Sequence, residues 1–178
     1  TQKDLSLLSV ETIVQEVTTT CNLRCPTCRV TQSQVPAHFM GFSEFVQICH
    51  NLAPYLKMVR VYNLSSSESL LHPRVFDMID VVKHINPNLF ISIITNGMLL
   101  NEQKQVALLQ RGVNSICVSI DGARKETTEK IRVGSNFETV SNNVRSFISK
   151  GGMVRTIYVV RDNNINDLLD FIDLADDL

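Results

Sequence analysis

The chain has 178 residues, a formal net charge of -1 at pH 7 and 44% hydrophobic residues, which suits one globular domain with a sizeable core. Because basic and acidic residues nearly balance, we expect no nucleic-acid partner. No run of about 18 or more apolar residues occurs, and the opening TQKDLSLLSV lacks the features of a signal peptide. We therefore expect no membrane association and a cytoplasmic location.

Strand-like and helix-like segments alternate along the chain. Apolar patterns predict five strands, at residues 11–17, 58–64, 89–95, 114–120 and 154–160. Helical spacing of apolar residues predicts a helix after each strand, at residues 42–56, 72–85, 101–112, 137–148 and 166–178. We expect Pro73 in the first turn of the second helix and Gly112 as the cap of the third. Five consecutive strand–helix units predict an α/β fold with a parallel sheet and right-handed crossovers.

A polar motif follows each predicted strand. In chain order these motifs are residues 21–28, 65–68, 95–97, 119–122 and 161–163. In parallel α/β folds the carboxyl ends of the strands meet at one edge, where ligands bind. We therefore expect one site at this edge and not five unrelated loops.

The first motif holds three cysteines in a C-x3-C-x2-C spacing, at Cys21, Cys25 and Cys28. An odd total of five cysteines, three of them clustered, argues against a disulfide framework and favours a metal site in a reducing compartment. Thiolates suit zinc or iron–sulfur chemistry. A four-iron cluster on three cysteines would leave one iron open to an external ligand, whereas structural zinc would need a fourth ligand. We expect Cys49 and Cys117 to be small core residues.

Four segments, in order, resemble the radical SAM superfamily, whose members use S-adenosylmethionine (SAM). TTTCNLRCPTCRV resembles its cluster loop, SSESLLHP its GGEPLLHP stretch, and ITNG its third-strand motif. VSIDGARKETTEKIRVGSNFETVSNNV is similar to the branch that often carries an additional SPASM cluster domain. The resemblance covers roughly residues 11–175.

This resemblance implies a partial (βα) barrel, with five of the usual six units visible, and a single core domain over residues 1–178 that is incomplete at its carboxyl end. It implies that the three cysteines bind a [4Fe–4S] cluster at which SAM is reductively cleaved. The resulting 5′-deoxyadenosyl radical would abstract hydrogen from a peptide or small-molecule substrate. An external electron donor such as a flavodoxin or ferredoxin would supply the electron.

The resemblance also implies which residues contact SAM. Ser66, Ser67 and Glu68 match the segment near the methionine amino group, and Asn96 matches a polar position near SAM. Ser119 and Asp121 match positions near the ribose or carboxylate. Arg132 matches a basic residue that pairs with the carboxylate, a task suited to a guanidinium. Thr27 lies beside the expected adenine position, where only its backbone could serve.

One departure from the family pattern concerns Ser66 and Ser67, which replace two glycines, and Ser69, which replaces proline. Glycine permits positive φ and close backbone approach to a ligand, and serine resists both. Two alternatives therefore stay open at this stage. The chain could be a non-catalytic or degenerate cluster-bearing binding domain, or a zinc-stabilised structural domain. His38 or His50 could complete a zinc site.

Overall fold

The computed structural model describes residues 11–56, 59–65 and 67–178, and its described part is built around one parallel sheet. The five strands are β1 (Thr12–Glu16), β2 (Val61–Ser65), β3 (Phe90–Thr95), β4 (Ser115–Ser119) and β5 (Met153–Ile157). They pair in sequential order, and every neighbouring pair is parallel. The predicted α/β fold is confirmed as a partial barrel of the (βα) type.

Helices follow every strand, as predicted. They are α1 (Arg29–Gln32), α2 (Phe42–Leu56), α3 (Val75–Ile85), α4 (Glu102–Gln110), α5 (Lys125–Ile131), α6 (Phe137–Ser149) and α7 (Leu168–Asp177). Short 3₁₀ turns cover Ser69–Leu71 and Ile165–Asp167. We did not predict α1 and α5, because one or two helical turns are too short to show a helical apolar period. No helix in the described part of the chain has the length and hydrophobicity to span a bilayer.

Several predicted boundaries differ from the observed ones, and two of these differences have a clear structural cause. Pro73 precedes the cap of α3 instead of opening the helix, because the His72 ring nitrogen Nδ1 accepts from the Arg74 N–H at 3.0 Å and holds a turn there. Strand β5 ends at Ile157, three residues early. The next donor facing β4, the Val159 N–H, bonds the Asp121 carboxylate at 2.8 Å instead of a backbone carbonyl.

The two faces of the sheet differ in polarity. The face towards the helices is apolar and fully buried, with side chains that include Tyr62, Leu64, Ile91, Ile93, Ile116 and Val118. The other face carries polar residues, among them Asn63, Ser92 and Cys117, with Arg155 paired to Cys117 across β4 and β5. The apolar face packs against the helices and forms the core. The polar face is therefore available to line a binding site.

The two isolated cysteines, Cys49 on α2 and Cys117 on β4, lie on opposite sides of the sheet. Cys49 is fully buried in the core, as predicted. Cys117 is only half-buried and lies on the polar face, with its Sγ 3.4 Å from the Ser92 hydroxyl. Its expected place in the core was wrong, because alternate residues of a strand point to opposite faces.

Candidate functional site

The carboxyl ends of the strands surround a cavity of about 200 Å³. All three clustered cysteines line it, together with Thr27, Ser67, Asn96, Ser119, Asp121 and Arg132. These residues therefore share one cavity at the expected edge of the sheet, and their contacts with SAM stay a prediction. Ser66 lies outside the described residues, and Glu68 is not part of the cavity lining.

The cysteine loop is tied down by its own backbone and by a neighbouring loop. The Cys28 N–H donates to the Cys25 carbonyl at 3.0 Å, and Cys28 then caps the start of α1. The Arg24 N–H donates to the Val133 carbonyl at 2.9 Å, and its guanidinium donates to the Cys21 carbonyl at 2.7 Å. These bonds hold the loop so that its three thiols face one cavity.

Two opposing effects act on the pKa of the cysteine thiols. Burial raises the pKa of Cys21 and of Cys25. The Leu23 N–H, which lies 3.4 Å from the Cys21 sulfur, opposes this rise in the pKa of Cys21, and the Arg132 charge opposes it in the pKa of Cys25. Within the described part, no three His, Cys, Asp or Glu side chains are arranged to hold one metal ion. Three sulfurs around a cavity, with donors beside them, fit a sulfur-ligated cluster.

Glu68 is completely buried between the ends of β2 and β3. Its Oε1 accepts from the Leu70 N–H at 3.2 Å and the Thr95 hydroxyl at 2.8 Å, and its Oε2 accepts from the Asn96 N–H at 2.8 Å. Burial raises the pKa of Glu68, while these donors and the nearby Lys104 ammonium oppose the rise. The carboxylate joins two strand ends, and its predicted contact with the SAM amino group stays a prediction.

Ser67 adopts a backbone conformation that favours glycine, with φ of 46°. This is one of the two positions where the sequence has serine in place of a glycine of the resembled motif. The Ser67 hydroxyl is buried beside the cavity and has no hydrogen-bond partner among the described residues. The chain thus keeps the left-handed turn despite the substitution and adds an unpaired hydroxyl at the site.

Asn96 and Gly97 make a tight turn after β3. The Asn96 Oδ1 accepts from the Met98 N–H at 3.0 Å, and its Nδ2 donates to Asn22 Oδ1 at 2.9 Å. Gly97 has φ of 80°, and an added Cβ there would lie 3.0 Å from side-chain carbons of Val118 and Val140. The Asn-Gly pair therefore does more than form a turn, because its amide reaches the cysteine loop.

Asp121 and Arg132 form a buried ion pair on the opposite side of the cavity. Arg132 Nε lies 2.9 Å from Asp121 Oδ2, with its N–H poorly aligned for a hydrogen bond. The backbone carbonyl of Asp121 accepts from the Asn164 amide at 3.1 Å. The pair fixes the Arg132 head group beside Cys25 and leaves its two terminal nitrogens for another partner. Ser119, half-buried at the end of β4, also lines the cavity.

Two residues of the site were missing from the predicted set. Arg161 lines the cavity, and its buried Nε has no hydrogen-bond partner in the part of the chain that the structure describes. Asn164 is buried and bonds both Asp121 and the Val159 carbonyl. The position of Arg161 after the fifth strand was a usable signal, but nothing in the sequence distinguishes Asn164 from its polar neighbours.

The structure thus combines a parallel partial barrel with three clustered thiols and an arginine–aspartate pair at its carboxyl edge. The family profile of the radical SAM superfamily matches residues 16–175, so the chain belongs to that superfamily. Its members are enzymes that use a [4Fe–4S] cluster and SAM.

The chain is similar to several characterised relatives. It is 29% identical over 167 residues to GTP 3′,8-cyclase of Limosilactobacillus fermentum, covering 90% of this chain and 49% of that protein. It is 34% identical over 122 residues to the AdoMet-dependent heme synthase of Methanosarcina barkeri, covering 67% and 34%. The chain thus spans half the length of these relatives or less.

Solved structures show the same fold. Streptococcus suis SuiB bound to S-adenosylmethionine superposes with a TM-score of 0.80 at 13% identity, covering 97% of this chain and 40% of SuiB. The structure of anSMEcpe with bound AdoMet gives 0.76 at 19% identity, covering 93% of this chain and 49% of that one. At these identities the likeness supports the architecture of the barrel.

Proposed function

We propose that this chain binds a [4Fe–4S] cluster and SAM and cleaves SAM reductively as the core of a radical SAM enzyme. The observation that carries this proposal is the single cavity that brings together three thiols and the Asp121–Arg132 pair. Two independent regions of sequence, the cysteine loop and the segment after β4, supply the two sides of that cavity.

Cys21, Cys25 and Cys28 would hold the cluster, with the three thiols as its only protein ligands. When bound, the cluster supplies the electron that splits a sulfonium carbon–sulfur bond of SAM, giving methionine and a 5′-deoxyadenosyl radical. The protein holds the loop rigid through the Arg24 and Cys28 hydrogen bonds. A rigid loop would keep the three thiols that hold the cluster facing the cavity.

Arg132 would bind the SAM carboxylate with its terminal guanidinium nitrogens. Asp121 keeps the guanidinium in place, and the buried setting strengthens its attraction for an anion. Ser67 lines the same cavity, and its buried hydroxyl, which has no partner among the described residues, would turn towards the cavity to accept from the SAM amino group. Asn96, Ser119 and the Thr27 backbone also line the cavity and would contact the remainder of SAM.

The substrate would lie against the polar face of the sheet, below SAM. SuiB has been solved with its precursor peptide SuiA, whereas the curated relatives include GTP 3′,8-cyclase. Both peptides and small molecules are therefore substrates within the similar proteins, and we propose one of these two classes here. An external one-electron donor such as a flavodoxin or ferredoxin, in a reducing cytoplasm, would complete the system.

The test is anaerobic reconstitution of the protein with iron and sulfide, followed by reduction with dithionite in the presence of SAM. We expect a brown, oxygen-sensitive protein that releases 5′-deoxyadenosine, measured by chromatography. Cys25→Ala should lose both cluster and product. Cys117→Ser, which changes a half-buried thiol outside the loop, should keep both.

The other outcomes separate the alternatives. A stable cluster without SAM binding would support a degenerate, cluster-bearing binding domain. Zinc without iron after anaerobic purification would support a structural zinc domain. Either result would overturn the proposed reaction.

A further inference from the structure

Asn96 is the one residue of the turn after β3 whose side chain reaches the cysteine loop. Its Nδ2 lies 2.9 Å from Asn22 Oδ1 and 3.7 Å from the Cys21 sulfur. An amide nitrogen carries two hydrogens, so it can donate to both acceptors. We propose that Asn96 tunes the reduction potential of the cluster through an N–H···S hydrogen bond to Cys21, and that the buried Glu68 holds Asn96 in position.

The orientation of the Asn96 amide follows from its partners. The Met98 N–H needs an acceptor and finds it in Asn96 Oδ1 at 3.0 Å. The opposite end of the amide, the donor nitrogen, must then face Asn22 and Cys21. Asn96 has only 6% of its surface exposed, so water competes little for this donor.

Glu68 fixes the backbone from which this side chain extends. Its Oε2 accepts the Asn96 N–H at 2.8 Å, and both its oxygens lie within 3.0 Å of the Thr95 hydroxyl. On the far side of the turn, the Asn143 amide donates to the Gly97 carbonyl at 2.9 Å. Glu68 therefore holds the backbone of Asn96, whereas Asn143 bonds the turn one residue further on and contacts neither Asn96 nor the Cys21 sulfur.

The consequence is electrostatic. Reduction by one electron adds negative charge to the cluster and its thiolates, and an N–H donor stabilises the more negative state. The Leu23 N–H already donates to the same sulfur at 3.4 Å, so Cys21 has two donors in the described structure. Two donors on one ligand make the cluster easier to reduce. This inference rests on the proposed cluster, but not on cleavage of SAM.

The test compares Asn96→Ser with Asn143→Ser in the reconstituted protein without SAM. Dithionite supplies the electron through mediator dyes, and the reduced cluster is followed by electron paramagnetic resonance. The serine hydroxyl can still accept from the Met98 N–H but is too short to reach the sulfur. We expect Asn96→Ser to lower the reduced-to-oxidised ratio at a fixed potential by about three- to tenfold, where tenfold equals 59 mV for one electron.

Asn143→Ser is the matched control, because it removes a hydrogen bond to the same turn without touching a thiolate. It should leave the potential and the iron content at the wild-type values. Glu68→Asp keeps the negative charge near Cys21 but shortens the side chain, so we expect it to lose the bond to the Asn96 N–H, displace Asn96 and shift the potential in the same direction as Asn96→Ser. That shared shift would support the positioning role of Glu68.

Three outcomes would overturn the inference. The first is a cluster of unchanged potential in Asn96→Ser, and the second is an equal shift in Asn143→Ser. Either leaves the proposed function standing if the protein still releases 5′-deoxyadenosine. The third, a wild-type protein that assembles no cluster, would overturn the proposed function as well. A shift in Asn96→Ser that Glu68→Asp does not share would overturn the positioning role of Glu68.

Discussion

The ends of β2 and β3 and the ends of β4 and β5 carry similar polar sequences but do different things. At β2 and β3, Glu68 is wholly buried, and donors from Leu70, Thr95 and Asn96 occupy both its oxygens. At β4 and β5, Asp121 and Arg132 line the cavity, with guanidinium nitrogens left for a ligand. A carboxylate at a strand end can thus either hold two strand ends together or line the cavity. Its hydrogen-bond partners determine which of the two roles it has.

The largest expected effect is on stability, from Glu68→Ala. The change leaves three buried donors without an acceptor, which should lower the free energy of unfolding by about 3 kcal/mol or more. Urea unfolding of the cluster-free protein measures this. The matched control is Glu16→Ala, since Glu16 is exposed and its contact with Arg29 is 3.5 Å long. Glu16→Ala should lower the free energy of unfolding by about 0.5 kcal/mol or less. Equal losses in the two variants would show that Glu68 does not hold the two strand ends together.

The next largest effect is on the affinity for SAM, from Arg132→Gln at the ends of β4 and β5. Loss of a charge-assisted contact with the SAM carboxylate should weaken SAM binding about 10- to 100-fold. Anaerobic calorimetry on the reconstituted protein measures it. Arg124→Gln is the comparison, because Arg124 is exposed, does not line the cavity and forms ion pairs with Asp167 and Asp170. If both variants bind SAM like the wild type, Arg132 is a structural residue.

A smaller effect is the pH dependence of the free energy of unfolding that Glu68 causes at the ends of β2 and β3. Burial raises the pKa of Glu68 above its ordinary value of 4.5, so the folded state binds this proton more tightly than the unfolded state. The stability that this proton contributes is present below pH 4.5 and is lost as the pH rises through the folded pKa. Relative to Glu68→Gln, which cannot titrate, the wild type should lose unfolding free energy as the pH rises from about 4 through the raised pKa of Glu68.

Urea unfolding of both proteins across this range gives the difference directly, because all other titrating groups are shared. A difference that rises with pH would mean that the donors around Glu68 outweigh its burial. The Glu68 carboxylate would then stabilise the folded state most when it is charged.

The smallest expected effect is on stability and concerns Ser67, which follows β2 and has a strained, left-handed backbone. Ser67→Gly should raise the free energy of unfolding by about 0.5 to 1 kcal/mol, since a left-handed backbone costs serine more than glycine. Thermal unfolding measures the gain. Ser33→Gly, at an ordinary φ of -88°, should instead cost about 0.5 to 1 kcal/mol. Losses of the same size at both positions would argue against strain at Ser67.

The sequence alone determined the architecture and the cysteine loop. Strands and helices alternate because the apolar period changes between two and 3.6 residues, and that period is a local property of the chain. The clustering of Cys21, Cys25 and Cys28 is also local, so their spacing was sufficient to predict a shared site. The short helices α1 and α5 escaped prediction because they carry too few apolar positions.

Only the tertiary structure decided which polar side chains face the cavity. Glu68 and Asp121 look alike in sequence, yet their partners Thr95, Asn96, Val159 and Arg132 come from other strands and loops. The contact between Asn96 and Cys21 joins residues 75 positions apart. Such pairings depend on how strand ends come together at one edge, and a pattern of neighbouring residues contains no information about them.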